Sequence, residues 1–243
     1  MMLDLSKPLL AFDTSTPTAR VALVAPSGEC IVQCAKTAAR HSANLLGLVD
    51  DSLRAAGIAV AGLGAIACGA GPGSFTGLRV GMAVAKGLAL PTDLPLVLVS
   101  SLLALACDLA DAAPSALLLL PCLDAGKGQV YARLYDAGGE PKPVGDTDWV
   151  LSPAELCGLA RESSAGRGLV AGGTGVDRYL DVMCAGLGDP AIRPSLPGPS
   201  ATSIGRLARA RLARGECDDL GSAVPRYGRP PDITRPKKPP LAG

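Results

Sequence analysis

The sequence predicts an α/β fold built from two similar lobes. Apolar strands alternate with amphipathic helices along the chain, and the order β-β-β-α-β-α occurs twice. In each half the first strand ends on an aspartate, Asp13 or Asp124, which a turn of small residues follows. We therefore predict an N-terminal lobe over 1–112, a C-terminal lobe over 113–224, and a basic, proline-rich tail over 225–243.

The first half shows turn signals between its strands and helical periodicity after them. Pro17 and the run Pro26-Ser27-Gly28 separate three short strands. Apolar residues then fall on one helical face, and Gly57 can end that helix in a left-handed cap. The predicted elements are three strands within 8–37, a helix at about 42–56, a strand at 63–70, a helix at about 75–90 that Pro91 ends, a strand at 94–100 and a helix at 100–111.

The second half repeats this order. Ser152 and Glu155 have the spacing of a capping box, with Pro153 at the first helical position, so a helix begins there. Gly215 ends the last helix. The predicted elements are an apolar strand at 116–124, its hairpin partner at 128–136, a strand near 147–151, the capped helix, a strand at 168–175 that ends in glycines, and helices near 176–187 and 201–214.

Composition restricts the function classes. Net charge is +1 and aromatic residues make up 3% of the 243 residues, which argues against a large nucleic-acid footprint and against base stacking. The eight cysteines are scattered without a C-x-x-C pair, as expected for free thiols of a cytoplasmic protein. We find neither a signal peptide nor an apolar run long enough for a membrane span. We expect the tail to be solvated, with a weak polyanion-binding arm as the alternative.

The segment 69–89, GAGPGSFTGLRVGMAVAKGLA, resembles a phosphate-binding loop that leads into a helix. A P-loop requires a lysine after its second glycine, and none follows Gly77. The dinucleotide pattern G-x-G-x-x-G also fails, because Ser74 stands at the third glycine. Pro72 removes one N–H that a phosphate cradle would use. The spacing therefore argues against a nucleotide loop.

The helix in this segment carries a stripe of small residues. Gly77, Gly81, Ala85 and Ala89 recur every four residues, beside an apolar row of Val80, Val84 and Leu88. Small side chains on one helical face allow a neighbouring element to approach closely. From the residues alone, that neighbour is either another part of this chain or a partner molecule.

His41 is the only histidine in the chain. A helical metal site would place a second histidine four residues later, where this sequence has Leu45. We therefore predict no metal site here, and interpret His41 as a helix-terminal or interface residue. Ser-His-Asp or Cys-His catalysis would depend on His41 alone, and we predict no catalytic residue and no cofactor.

Three segments of the first half, 9–16 (LLAFDTST), 40–46 (RHSANLL) and 71–89, closely resemble the bacterial TsaB family, also called YeaZ. The likeness continues more weakly through 123–136 and 225–232. It implies an actin-like ATPase fold with two ribonuclease-H-like lobes. It also implies a non-catalytic subunit for making N6-threonylcarbamoyladenosine beside the tRNA anticodon, bound to its paralogue TsaD. TsaE would join through that complex, tRNA would be contacted only indirectly, and the chain alone would form a homodimer through the same helices.

The resemblance further implies a partner interface on the first two helices and a degenerate nucleotide site. The implied interface residues are His41, Leu45, Leu46, Val49, Thr76, Gly77, Arg79, Val80, Gly81, Val84, Ala85 and Leu88. The implied degenerate nucleotide positions are Asp13, Ser15, Asp124, Gly172, Gly173 and Gly175. The alternative is an ATP-binding phosphotransferase or ATPase of the same fold. A metallopeptidase is disfavoured, because Leu45 replaces the second metal ligand of TsaD.

Overall fold

Two mixed β-sheets form the framework of the protein. The structure, a computed structural model, describes residues 4–37, 45–113, 117–188, 192–193 and 196–229. The first sheet has the order β3-β2-β1-β4-β5, in which β1, β2 and β3 are antiparallel neighbours and β4 and β5 run parallel to β1. Its strands are β1 (Leu9–Asp13), β2 (Thr18–Val24), β3 (Cys30–Thr37), β4 (Ala65–Gly69) and β5 (Leu96–Val99).

The second sheet repeats this arrangement with the order β10-β7-β6-β11-β12, and β8 and β9 extend it beside β6. The opening strand β6 pairs antiparallel with β7 and parallel with β11, as β1 does with β2 and β4. The predicted repeat of topology is therefore present. The strands are β6 (Leu118–Gly126), β7 (Gln129–Ala132), β8 (Tyr135–Asp136), β9 (Lys142–Pro143), β10 (Trp149–Leu151), β11 (Leu169–Gly172) and β12 (Ile192–Arg193).

Helices cover both faces of the first sheet. The α-helices of the described residues are α1 (Leu45–Ala56), α2 (Phe75–Thr92), α3 (Ser101–Ala112), α4 (Pro153–Ser164), α5 (Thr174–Arg178), α6 (Leu180–Leu187) and α7 (Ala201–Ala213). Because side chains alternate along a strand, Leu10 and Phe12 pack under α1 and α2, whereas Leu9 and Ala11 pack under α7. The outer sides of α1 and α2 therefore belong to one surface of the molecule.

Two helices cross the boundary between the predicted lobes. Helix α3 follows the first sheet in sequence, yet its Leu105 and Leu109 pack with Leu119 and Tyr131 of the second. Helix α7 follows the second sheet, yet it covers the first. The lobe limits at 112 and 224 remain a prediction, and the packing shows that neither helix is confined to the lobe to which its sequence position assigns it.

Several predicted boundaries are wrong. Helix α2 continues through Pro91 and ends at Thr92, with Asp93 in the left-handed conformation at φ +52. The helix predicted at 176–187 is divided at Tyr179, whose φ of −120 departs from helical geometry. The strand predicted at 128–136 is divided too, because β7 pairs with the end of β6 and β8 with its beginning. The capping box at Ser152 is confirmed.

The small-residue stripe lies inside the molecule. Gly77, Gly81, Ala85 and Ala89 are all buried, and Gly81 faces the hydroxyl of Thr14, which a Cβ at that position would overlap. Thr14 Oγ1 in turn donates to the Gly77 carbonyl at 2.8 Å. The stripe therefore allows α2 to approach the first sheet, and the prediction that Gly77, Gly81 and Ala85 contact a partner is wrong.

Candidate functional site

A cleft of about 960 Å³ separates the two lobes, a volume ordinary for a small-molecule site. The first lobe contributes the turn after β1 and the start of α2. The second contributes the β6–β7 turn and α5. The lining residues are Ser15, Thr16, Pro17, Thr18, Gly73, Ser74, Phe75, Asp124, Ala125, Gly126, Lys127, Tyr131, Thr174, Asp177, Arg178, Pro197, Tyr227 and Arg229.

Asp13 is fully buried and lies outside this lining. One carboxylate oxygen accepts hydrogen bonds from the Ser15 amide and hydroxyl, at 2.8 and 2.6 Å, and the other accepts from Ser101 Oγ at 2.7 Å. Burial raises the pKa of this carboxyl, while the hydrogen bonds from Ser15 and Ser101 act in the opposite direction. Asp13 thus joins β1 to the start of α3, and both of its oxygens accept hydrogen bonds within the chain.

Asp124 borders the cleft, and its side chain already has partners within the chain. Its Oδ2 lies 3.0 Å from Arg178 Nη1, and its Oδ1 accepts from the Gly126 amide at 3.0 Å. The Asp124 amide donates to Thr174 Oγ1 at 3.1 Å. Asp124 is therefore held by contacts within the second lobe.

The glycines at the end of β11 provide close packing. A Cβ at Gly173 would overlap the Cys122 carbonyl, and one at Gly175 would lie 2.9 Å from Val130. Neither these glycines nor Gly172 line the cleft. Of the six predicted degenerate nucleotide positions, only Ser15 and Asp124 border it, so the structure does not assemble them into one site.

The outer face of α1 and α2 is open. Leu46 is 56% exposed and Leu90 is 73% exposed. Thr76, Arg79, Ala83 and Gly87 are also exposed along α2, and half-buried Val80, Val84 and Leu88 lie beside them. We define the docking face as the exposed residues Leu46, Thr76, Arg79, Ala83, Gly87 and Leu90.

Two further predicted interface residues are buried. Leu45 and Val49 are buried in the core of the first lobe together with α2, so they cannot contact a partner directly. This corrects the assignment of these two residues. His41 lies outside the described residues. Leu46, Thr76, Arg79, Val80, Val84 and Leu88 remain predicted interface residues.

An aromatic cluster that we did not predict from the sequence lies at the start of α2. The rings of Phe75 and Tyr227 lie 4.8 Å apart between centroids, and the Arg79 guanidinium lies 3.9 Å from the Phe75 centroid. Arg79 Nε donates to the Tyr227 hydroxyl at 3.1 Å. Phe75 and Arg79 lie one helical turn apart, and this spacing could have predicted that their side chains meet. The contact also shows that residues 225–229 lie on the protein surface, where Arg226, Tyr227 and Gly228 stay exposed, while 230–243 lie outside the described residues.

No three His, Cys, Asp or Glu side chains in the described part of the chain are grouped so as to hold a metal ion. No helix within it has the length and apolar character needed to cross a bilayer.

Comparisons with known proteins agree with the family resemblance found in the sequence. The family model described as TsaD, tRNA N6-adenosine threonylcarbamoyltransferase, matches residues 32–195. The tRNA threonylcarbamoyladenosine biosynthesis protein TsaB of Escherichia coli (strain K12) is 37% identical over 127 residues, covering 52% of this chain and 54% of that protein. The match thus spans about half the length of this curated relative.

Solved structures extend the likeness over the whole fold. YeaZ from Pseudomonas aeruginosa has a TM-score of 0.75 and 33% identity, covering 91% of this chain and 99% of that one. The activator of 2-hydroxyisocaproyl-CoA dehydratase from Clostridium difficile, solved with ADPNP, has a TM-score of 0.51 and 10% identity, over 87% of this chain and 98% of that one. The second likeness concerns the fold alone, and both agree with the predicted actin-like ATPase fold.

Proposed function

This chain belongs to the bacterial TsaB (YeaZ) family, and from that premise we propose that it is a non-catalytic subunit in the synthesis of N6-threonylcarbamoyladenosine in tRNA. In this proposal it binds and activates a TsaD threonylcarbamoyltransferase, a protein of related fold.

The observation that carries the proposal is the open docking face on α1 and α2. Both helices bury their inner sides on the same sheet, so their outer sides form one continuous surface. That surface presents exposed leucines together with small residues such as Ala83 and Gly87. Apolar patches with small neighbours suit close helix packing against a partner.

The interlobe cleft supports a non-catalytic role. Both carboxylates at the strand ends are engaged, Asp13 by serine hydroxyls and Asp124 by Arg178. The glycine loop after β11 is packed against β6. A phosphoryl-transfer site would require carboxylates and backbone amides free to hold a metal and phosphates, and here the corresponding groups are used within the chain.

Binding to TsaD from the same organism tests the docking face. Ala83→Glu places a charge at the exposed centre of α2 without altering the core, and we expect it to weaken TsaD binding by at least about tenfold, because the charge would be buried without a partner. The matched control is Ala185→Glu on exposed α6, which should bind as the wild type does. Equal affinity of both variants, measured by calorimetry, would refute the proposal.

The same face would mediate a homodimer when TsaD is absent. Sedimentation of the chain alone should therefore show self-association that Ala83→Glu weakens and Ala185→Glu does not. TsaE would join only after TsaD has bound, and tRNA would be contacted through the assembled complex. A chain that binds TsaE or tRNA with equal affinity when alone would contradict this order of assembly.

The cleft itself favours a second candidate, an ATP-binding phosphotransferase or ATPase, because its volume suits a nucleotide. Calorimetry of the isolated chain with Mg-ATP distinguishes the two proposals. Micromolar binding with hydrolysis would support the enzyme. We expect neither, because Asp13 is buried beneath its hydrogen bonds.

A further inference from the structure

Residues 225–229 run from one lobe to the other beside the cleft. The Arg226 amide donates to the Ala70 carbonyl at 2.7 Å, immediately after β4. Three residues later, the Arg229 guanidinium donates to the Ala125 carbonyl at the end of β6. Tyr227 and Arg229 both line the cleft. A short segment therefore contacts both walls of the same cavity.

The attachment to the first lobe uses several independent contacts. Gly71, at φ +100, is required because a Cβ there would lie 2.7 Å from the Arg226 carbonyl oxygen. The Tyr227 ring packs on Phe75, and its hydroxyl accepts from Arg79. The segment is thus joined to the loop before α2 and to the first turns of α2.

The attachment to the second lobe depends on close approach. A Cβ at Gly228 would lie 2.5 Å from the Tyr131 ring, so glycine allows the backbone to lie directly against that side chain. Tyr131 belongs to β7 and packs in the core with α3. Together with the Arg229 contact, this holds the segment to the β6–β7 hairpin.

We propose that residues 225–229 form a clasp that sets the separation of the two lobes across the cleft. Helix α3 packs against both sheets, and two packed bodies joined in this way commonly change their relative angle about a few residues. The clasp adds contacts that must break before the cleft widens. It couples the β6–β7 turn to the start of α2.

Hydrogen exchange of the isolated chain tests the clasp. Tyr227→Ala removes ring contacts that lie in the first lobe, with Phe75 and Arg79. A clasp predicts that amides of the second lobe, over 126–131, then exchange about five- to tenfold faster, as expected for the loss of one or two hydrogen bonds. Arg229→Ala should give the same increase over 70–74 in the first lobe. The control, Arg214→Ala, removes an exposed pair with Glu216 and should change neither segment.

Local loosening alone would give a different pattern. If Tyr227→Ala affected only the first lobe and Arg229→Ala only the second, the clasp would be refuted. Gly228→Ala, which pushes the segment off Tyr131, should accelerate exchange in both lobes, whereas Gly138→Ala, with no atom within 4 Å of its new Cβ, should not. Circular dichroism confirms folding of each variant. No partner is present in these experiments, so their outcome is independent of TsaD binding.

Discussion

Replacing Gly81 with alanine separates a packing role for the small-residue stripe from a docking role. In an exposed helix interior the change would stabilise the protein by up to about 1 kcal/mol, because alanine has the higher helix propensity. At Gly81, however, the new Cβ would lie closer than 3 Å to Thr14 Oγ1. Both residues are buried, so α2 or Thr14 must move.

The magnitude follows from three contributions. Overpacking in a core costs about 1–3 kcal/mol. Rotating Thr14 away would break its hydrogen bond to the Gly77 carbonyl, at a cost of about 1 kcal/mol. The gain in helix propensity offsets about 1 kcal/mol. We therefore expect Gly81→Ala to lower the free energy of unfolding by about 1–3 kcal/mol.

Urea unfolding followed by far-UV circular dichroism measures this change as a shift in midpoint at constant slope. The matched control is Gly87→Ala on the same helix, where no atom lies within 4 Å of the new Cβ; it should gain about 0.5–1 kcal/mol. In a Thr14→Ala background the penalty of Gly81→Ala should fall, because the obstructing hydroxyl is gone. A Gly81→Ala protein as stable as Gly87→Ala would refute the packing argument.

Three further predictions concern a helix cap, a buried acid and the thiols. Ser152→Ala should lower the free energy of unfolding by about 1 kcal/mol in urea titrations, because it removes the capping box of α4; no loss would contradict the cap. Burial raises the pKa of Asp13 above 3.8, so on folding this carboxyl retains a proton that the unfolded chain releases. The carboxyl therefore favours folding most below pH 3.8, and progressively less as pH rises through its raised pKa. The stability of the wild type relative to Asp13→Asn should therefore improve as pH falls from 7 toward 4, and a difference independent of pH would refute this. A thiol reagent should modify exposed cysteines rapidly and buried ones only on unfolding, because burial raises the pKa of the buried thiols; equal rates would contradict it. The exposed cysteines are Cys30 and Cys217, and two buried cysteines with a raised pKa are Cys68 and Cys122.

Local signals predicted the elements well. The capping box at Ser152 depends on residues three apart, and α2 and α3 are capped by Ser74 and Ser100 through the same short-range geometry. The repeated strand order was also predictable, because strand and helix periodicities are properties of short windows. The error at Pro91 occurred at a helix end and the one at Tyr179 inside a predicted helix, and no short-range signal marked either position.

The candidate site was predicted less well, since its residues meet only through long-range contacts. The four-residue spacing shows that Gly77, Gly81 and Ala85 share a face, but that face could meet either this chain or another. Only the position of Thr14 after β1 decides that it meets this chain. For the same reason the docking face that we propose consists of the residues that α2 leaves exposed, and not of its most regular stripe.

The amino-acid sequence by itself determined the two-lobed α/β topology, the family and the helices that carry the proposed docking face, because these depend on periodicity, caps and short motifs. Only the tertiary structure decided which sides of those helices remain open, that Asp13 is enclosed by Ser15 and Ser101, and that Arg229 reaches Ala125 in the other lobe. Burial and contacts between residues some hundred positions apart arise when the sheets and helices pack together, and no local pattern encodes them.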